Sequence, residues 1–280
     1  MTTVGLLHPG EMGAAVAAQI RRNGHTVLWC PRGRGPESRR RADAAGLGQV
    51  ADLPSMLARC SVVLSICPPA AAEEVAGQVA DAGYRGVFVE ANAVSPALVE
   101  RIVGIVRAGG ALPVDGSIIG APPGGQRVTR LYLAGEPLLV RRVTRLVAGT
   151  NVEAMALGAD LGSASALKMA FASFQKASRV LAALAHGLAD TYGVTDALLA
   201  EADRMPSTIL SDRDYLPSVA RRAWRWAPEM REIARTLDDA DLPPDVANAV
   251  AGVLTRWAGD RDRTDLPTAT VLAHLRRTTA

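Results

Sequence analysis

The chain has 280 residues, of which 49% are apolar and 21% charged, and its formal net charge is +3. That length supports one large domain or two small ones, and that balance excludes a disordered chain. The charge is small for the length, with 16 basic and 13 acidic residues in the first 160 and 15 of each after them, so no face is declared for nucleic acid and no polyanion partner is expected.

Aromatic residues make up only 4%, so alanine, leucine and valine must fill the core. Three cysteines, Cys30, Cys60 and Cys67, have no metal-ligand spacing and leave one unpaired. They read as small buried hydrophobes in a reducing compartment, with no metal site. The first five residues do not begin a secretory signal, and no apolar stretch reaches the roughly 18 residues of a membrane span. A soluble, cytoplasmic protein without a membrane partner is expected. Of the 31 basic residues, 29 are arginines; the two lysines, Lys168 and Lys176, are therefore the less expected choice.

Short apolar runs alternate with helical stretches through the first 160 residues. Strands are expected at 4–7, 26–30, 61–67, 86–90 and 111–115, and helices at 11–23, 71–82 and 96–108. A further strand, helix and strand are expected at 128–134, 136–147 and 151–155. This is the pattern of βαβ units around a parallel sheet. After Gly162 the period changes. Leu167, Phe171, Phe174, Ser178, Leu181, Leu184, Leu188 and Tyr192 recur at three- and four-residue steps, as in an amphipathic helix capped by Ser163 and stopped by Gly193. At about 1.5 Å per residue it would span roughly 45 Å, long enough to link two domains and to bury surface beyond its own. The rest reads as helices and turns. The expected fold class is α/β: a doubly wound parallel sheet in residues 1–162, then an all-α domain in 163–280, joined by the long interdomain helix.

The first strand leads into Gly5-Leu6-Leu7-His8-Pro9-Gly10-Glu11-Met12-Gly13. A dinucleotide-binding turn wants G-x-G-x-x-G between strand and helix; Gly10 and Gly13 supply the second and third glycines, and His8 occupies the first. Gly10 would admit the pyrophosphate to the backbone, Gly13 would let the helix pack closely, and the helix N-terminus, with Glu11 and Met12, would face the phosphates. His8 and Pro9 shape the turn. The second strand ends without the acid that an NAD ribose prefers. It offers Arg32 and Arg34, whose guanidiniums suit a 2'-phosphate, so NADP (as NADPH) is expected over NAD. Cys67 and Pro68 end the 61–67 strand on the cofactor side. Asn92, after the 86–90 strand, falls where the nicotinamide ribose would lie, and Ser95 before Pro96 is a helix cap beside it.

The Gly/Pro-rich loop of residues 115–125 follows a strand and can shape a pocket. Lys168 lies in the opening turns of the long helix, with Gln175 on its stripe within about 20°. A lysine whose pKa is lowered by burial or a nearby cation can exchange a proton near neutrality, which arginine cannot. Lys176, about 80° off, reads as a surface residue. Residues 221–230 concentrate Trp224 and Trp226 among arginines and could line a pocket, a subunit contact or the core.

Taken together, the 5–13 turn, Asn92-x-x-Ser95-Pro96, the 115–125 loop and the Gly162 to Lys168 stretch resemble the β-hydroxyacid dehydrogenase and 6-phosphogluconate dehydrogenase superfamily. Ile118 to Pro123, Ser165 to Met169 and Arg222 to Trp226 look like a branch carrying a small uncharacterised C-terminal domain of the DUF1932 type. The resemblance implies an N-terminal Rossmann domain, a helical C-terminal domain, a homodimer whose long helices pack across subunits, and hydride transfer between a nicotinamide and a small-molecule substrate. The family's catalytic lysine falls on Lys168. Two departures bear on the substrate. Ile119 stands where the family holds the substrate carboxylate with a serine, and Ala172 where it has an asparagine. Ser117, Gly120, Gln175 or the Trp224 region would then line the substrate instead. The leading expectation is an NADP-dependent oxidoreductase of hydroxy or keto compounds. An imine reductase is the alternative enzyme, and a non-catalytic NADP(H) sensor the alternative of another kind.

Overall fold

The computed structural model describes residues 1–276; the last four residues of the expected helical domain lie outside the described residues. The chain divides into two compact units, Met1–Lys168 and a second that begins at Met169.

The first unit is a mixed α/β sheet. Its elements are β1 (Thr3–Leu6), α1 (Glu11–Arg22), β2 (Thr26–Trp29), α2 (Pro36–Ala44), β3 (Gly48–Gln49), α3 (Leu53–Leu57), β4 (Val62–Ser65), α4 (Ala72–Asp81), β5 (Val87–Glu90), α5 (Pro96–Ala108), β6 (Leu112–Ile119), β7 (Thr129–Ala134), α6 (Pro137–Leu146) and β8 (Val152–Gly158). The strand order is β3-β2-β1-β4-β5-β6-β7-β8. This is the doubly wound order, with its switch point between β1 and β4. Pairing is parallel throughout except between β6 and β7, where Gly116 opposes Leu133 and Ile118 opposes Leu131 in antiparallel register.

Short strands buried on both faces explain why the apolar runs were legible. Val4, Leu6, Val27, Val62, Leu64, Val87 and Val89 enter one core with Val16 and Ile20 of α1 and Val140 and Val143 of α6. Val63, Phe88, Val75, Val99 and Ile102 form the other core, under α4 and α5. Three elements escape sequence reading. The α2 sequence Pro-Glu-Ser-Arg-Arg-Arg-Ala-Asp-Ala has almost no apolar stripe, β3 is two residues long, and α3 is a single turn capped by the Asp52 side chain. The expectation that 116–119 belongs to a loop is corrected: β6 runs on to Ile119, because β7 folds back and satisfies its backbone.

The second unit is helical, with no strand among the described residues: most of α7 (Ser163–Tyr192), then α8 (Thr195–Ala202), α9 (Leu216–Asp238), α10 (Asp245–Leu254) and α11 (Thr268–Leu275). The helix α7 runs the full 30 residues. Gly193 stops it with a positive φ of 68°, a conformation that favours glycine. Val219, Ala223, Met230 and Ile233 of α9 and Val250 and Leu254 of α10 build this unit's core with Trp257.

Two features of α7 run against expectation. The large residues of its regular stripe point outward: Phe174 is 69% exposed, Leu188 63% and Tyr192 74%, with Phe171, Leu181 and Leu184 also exposed. What faces inward is smaller, including Ala172, Val180, Ala183 and Ala189. Lys176 is the second surprise. The sequence reads it as a surface residue, yet it is 4% exposed. Its Nζ donates to Glu229 Oε1 at 2.6 Å and sits 5.6 Å from the centre of the Trp226 ring. Burial drives its pKa below the ordinary lysine value, the Glu229 carboxylate opposes that, and Arg225 and Arg222 add to it.

A buried pair is strongly coupled, because removing one partner strands the other charge. Lys176→Met or Glu229→Gln alone should lower stability by about 3–5 kcal/mol, and the double replacement Lys176→Met with Glu229→Leu should recover most of it. Urea denaturation of the four proteins checks this.

Candidate functional site

The site is built at the carboxyl ends of β1, β2, β4, β5 and β6. After β1 the chain turns through His8, Pro9 and Gly10 into α1. Gly10 is the N-cap residue and offers no side chain, so the first amides of α1 have no side-chain cap. Such a helix start is an anion site. Gly13 packs against the turn so closely that a Cβ there would meet the His8 carbonyl oxygen at 2.5 Å.

Arg34 reaches over from the segment after β2. Its guanidinium donates to Leu7 O at 3.1 Å and lies 3.0 Å from His8 Nδ1. The donor beside Nδ1 makes that nitrogen an acceptor, so the ring is neutral with its proton on Nε2. Burial lowers the His8 pKa, and Arg34 and Arg41 lower it further. Arg32 is exposed and forms no ion pair among the described residues. Both arginines border a cavity of about 220 Å³ floored by Leu7, Leu53, Met56 and Val75. An uncapped helix start, a glycine pressed on the turn, two guanidiniums and an apolar slot beside them together fit a dinucleotide. A larger cavity of about 380 Å³ opens by Leu112 and Pro113 at the other end of β6 and takes no part in this arrangement.

The ends of β4, β5 and β6 carry a polar row. The register pairs Ser65 with Glu90 and Glu90 with Asp115, so all three side chains share the face under α4 and α5. Asn92 ties the row to the loop after β4. Its Oδ1 accepts from Cys67 N at 2.5 Å, its Nδ2 donates to Ser65 Oγ at 3.0 Å, and its own N–H donates to Glu90 Oε1 at 3.1 Å. The Asn92 side chain is thus spent on holding the Cys67 loop. Ser95 is likewise spent, since its buried hydroxyl caps α5 by accepting from Leu98 N. Pro9 is buried, Met12 packs on the core, and Glu11 and Pro68 are exposed.

Asp115 fixes the head of α7. Its Oδ2 accepts from the N–H groups of Gly162, Ala164 and Ser165 at 2.9, 2.8 and 3.1 Å, and its Oδ1 accepts from Ser165 Oγ at 2.7 Å. Burial raises the Asp115 pKa, and these four donors pull it back. One turn on, half-buried Lys168 donates from Nζ to Ile118 O at 2.8 Å. The same carboxylate that starts the helix therefore sets where the amine stands.

The structure brings Lys168 to β6 but alters the expectations around it. Ser117, expected to line the substrate, is fully buried with its hydroxyl unpartnered. Its position within a strand, rather than a loop, is the reason. Ile119 is buried, and Gly120 is exposed with φ at +132°. In the second unit Ala172 is packed inside, Gln175 is half-buried, and Trp224 is exposed with the Arg261 guanidinium 4.1 Å above its ring. Glu90 and Asp115 went unselected as site residues in the sequence. The available signal was an acid closing each of two neighbouring apolar runs, Glu90 after residues 87–89 and Asp115 after residues 112–114.

Residues 189–257 match the domain of unknown function DUF1932. No curated protein matches the chain. Among solved structures, the 3-hydroxyisobutyrate dehydrogenase of Mycobacterium tuberculosis, determined with L-serine, superposes with a TM-score of 0.78 over 99% of this chain and 100% of that one, at 18% identity. The imine reductase of a Pseudomonas species gives 0.58 over 98% and 99%, at 18% identity. The reductive aminase of Aspergillus terreus, determined with NADPH and ethyl levulinate, gives 0.59 over 99% and 100%, at 19% identity. The fold is that of the 3-hydroxyacid dehydrogenases: a Rossmann-type unit followed by a helical one. The second unit carries the DUF1932 segment.

Asp115→Asn would keep the shape and lose the charge that three backbone amides share. Stability should fall by roughly 1–3 kcal/mol, with loss of hydrogen-exchange protection concentrated at Ala164 and Ser165. Gly13→Ala should weaken dinucleotide binding, because the Cβ forces α1 away from the turn; calorimetric titration with NADPH measures it.

Proposed function

We propose that the protein is an NADP-dependent oxidoreductase that passes a hydride between the nicotinamide and a small hydroxy or keto compound, with Lys168 as the proton donor or acceptor. The observation that carries this reading is the position of Lys168, tethered to β6 by Ile118 and set by the Asp115 cap at the carboxyl end of a doubly wound sheet. The fold's solved examples include dehydrogenases and reductases, which supports it. The nicotinamide, when bound, supplies or accepts the hydride. The chain's part is to hold and time the proton. In reduction the Lys168 ammonium gives a proton to the substrate oxygen as the carbon gains its hydride; in oxidation the neutral amine takes it back. The uncapped α1 start and the neutral His8 turn would hold the pyrophosphate. Arg32, uncommitted beside the 220 Å³ cavity, is the better partner for a 2'-phosphate, since Arg34 already clamps the turn.

Imine reduction is a second reading. Ile119, buried at the end of β6, offers no polar partner where a hydroxy acid would use one, which favours a substrate without a carboxylate. We also propose a homodimer built on α7. Leu167, Phe174, Leu181 and Leu188 fall seven apart, as do Phe171, Ser178, Ala185 and Tyr192, the spacing of a coiled-coil seam, and from Phe171 to Tyr192 its large residues lie exposed. Covering each such side chain is worth about 1.5–3 kcal/mol, and a second copy offers the matching stripe. Three unbridged cysteines suit a cytoplasmic setting.

NADPH consumption across a panel of oxoacids, ketones and cyclic imines tests the reaction; turnover on imines alone would replace the first reading with the second. Lys168→Ala should lower turnover by about a hundredfold to ten-thousandfold while NADPH affinity holds; unchanged turnover would remove its role. Arg32→Ala should weaken NADPH by roughly tenfold or more and leave NADH unmoved. Phe174→Asp with Leu181→Asp should give a monomer in light scattering.

A further inference from the structure

The polar row under the nicotinamide side of the site holds two carboxyl groups on adjacent strands, and the row is sealed from water. Glu90 is 2% exposed and Asp115 fully buried. Their hydrogen bonding is unequal. Asp115 accepts four hydrogen bonds, the pattern of a carboxylate. Glu90 accepts from Asn92 N at Oε1, with the Asn92 and Ser65 side chains alongside, and its Oε2 has no partner at hydrogen-bond geometry. Two like charges side by side in a dry interior cannot both persist, so the poorly solvated member keeps its proton.

We propose that Glu90 is a positioning residue that works in its neutral form: it anchors the Asn92 and Cys67 loops at the nicotinamide end and, being uncharged, tolerates the Asp115 carboxylate that holds the head of α7. The reasoning rests on the oxidoreductase reading only for the identity of the ligand. The two contacts of Glu90 lie on either side of the site. Through Asn92 it reaches Cys67 and Ser65 on β4; along the register it faces Asp115, and through Asp115 it reaches Ser165 and the turn that carries Lys168. A charge arriving on Glu90 would push on both.

Burial pushes the Glu90 carboxyl up to about 8, the Asn92 and Ser65 groups offset part of that, and Asp115 adds to it. The other titratable neighbours are separated in pH. Cys67, facing from the loop after β4, is pushed up to about 11 by burial first and then by Glu90, with Arg34 opposing. His8, beyond Arg34, is lowered below its usual value. α4 and α5 turn Val75, Val79, Val99 and Ile102 toward this face, and their Arg101–Glu73 pair lies out in solvent. Asp115 is raised as well, but its four donors favour the carboxylate, so the ionisation near pH 8 in this row is assigned to Glu90, whose Oε2 has no partner. The sign follows. A carboxyl whose pKa is raised on folding binds more protons folded than unfolded, so stability is greatest at low pH and is lost as pH rises from the unfolded value toward about 8.

The test uses the full chain and Glu90→Gln, a neutral isostere. In the ligand-free protein, the infrared carbonyl stretch of a protonated buried carboxyl should persist at pH 7, vanish near pH 8 to 9 and be absent from Glu90→Gln. Wild-type protection factors at Ala164 and Ser165 should fall over the same range while those of the variant stay level. NADPH affinity should weaken above pH 8 by up to roughly tenfold per pH unit in the wild type and stay flat in Glu90→Gln. Affinity is the readout because turnover would also follow Lys168. Absence of the protonated band at pH 7, or the same pH profile in both proteins, overturns the proposal. If Glu90→Gln does not fold, the wild-type infrared titration decides alone. If NADPH binds neither protein at any pH, the oxidoreductase reading fails, and the ligand-free measurements still decide the role of Glu90.

Discussion

One carboxylate fixes the geometry of the candidate site. Asp115 ends the parallel part of β6 and takes up the first free amides of α7, which an α-helix cannot satisfy from within. An anion at a helix N-terminus also meets the positive end of the helix dipole. The bonds reach from a rigid strand to the first turn of α7, so they set the depth at which Lys168 meets Ile118. Remove that anchor and the helix turn that carries the amine is no longer pinned to β6 by its backbone.

Placing an acid there has an electrostatic cost that is met unevenly. Asp115 has donors on both oxygens, whereas its neighbour in the register, Glu90, is buried with one oxygen lacking any partner. Burying a charge is tolerated where hydrogen bonds replace water, and a group denied them reverts to its neutral form. The row thus sorts two similar side chains into different states by their surroundings alone.

The sequence made the sheet legible because its strands are short, apolar and buried on both faces, as in Val-Val-Leu-Ser of β4, and because Gly10 and Gly13 mark the turn after β1, where a Cβ on Gly13 would strike the His8 carbonyl. The elements that stayed hidden lacked a periodic signal; α2 is mostly arginine, acid and alanine. Around the site, residue type pointed to Lys168 but not to its supports. Asp115 and Glu90 look like ordinary strand ends until the register puts them side by side, and Asn92 looks like a ligand until its side chain is seen bonded to Cys67 and Ser65. Periodicity alone also failed to say which way the α7 stripe faces: an amphipathic pattern identifies a buried face without naming what buries it, and here the inward side combines alanines with Met169, Val180, His186 and a salt-bridged lysine.

That inward lysine has a practical corollary. In a chain whose positive charges are otherwise all guanidinium, the enclosure of Lys176 beneath Trp226 withdraws one of only two side-chain amines from solution. Lys168 is then the more accessible side-chain amine to acylating or reductively methylating reagents, so an isotope-labelled methyl placed on it would be a spectroscopic reporter on the α7 head.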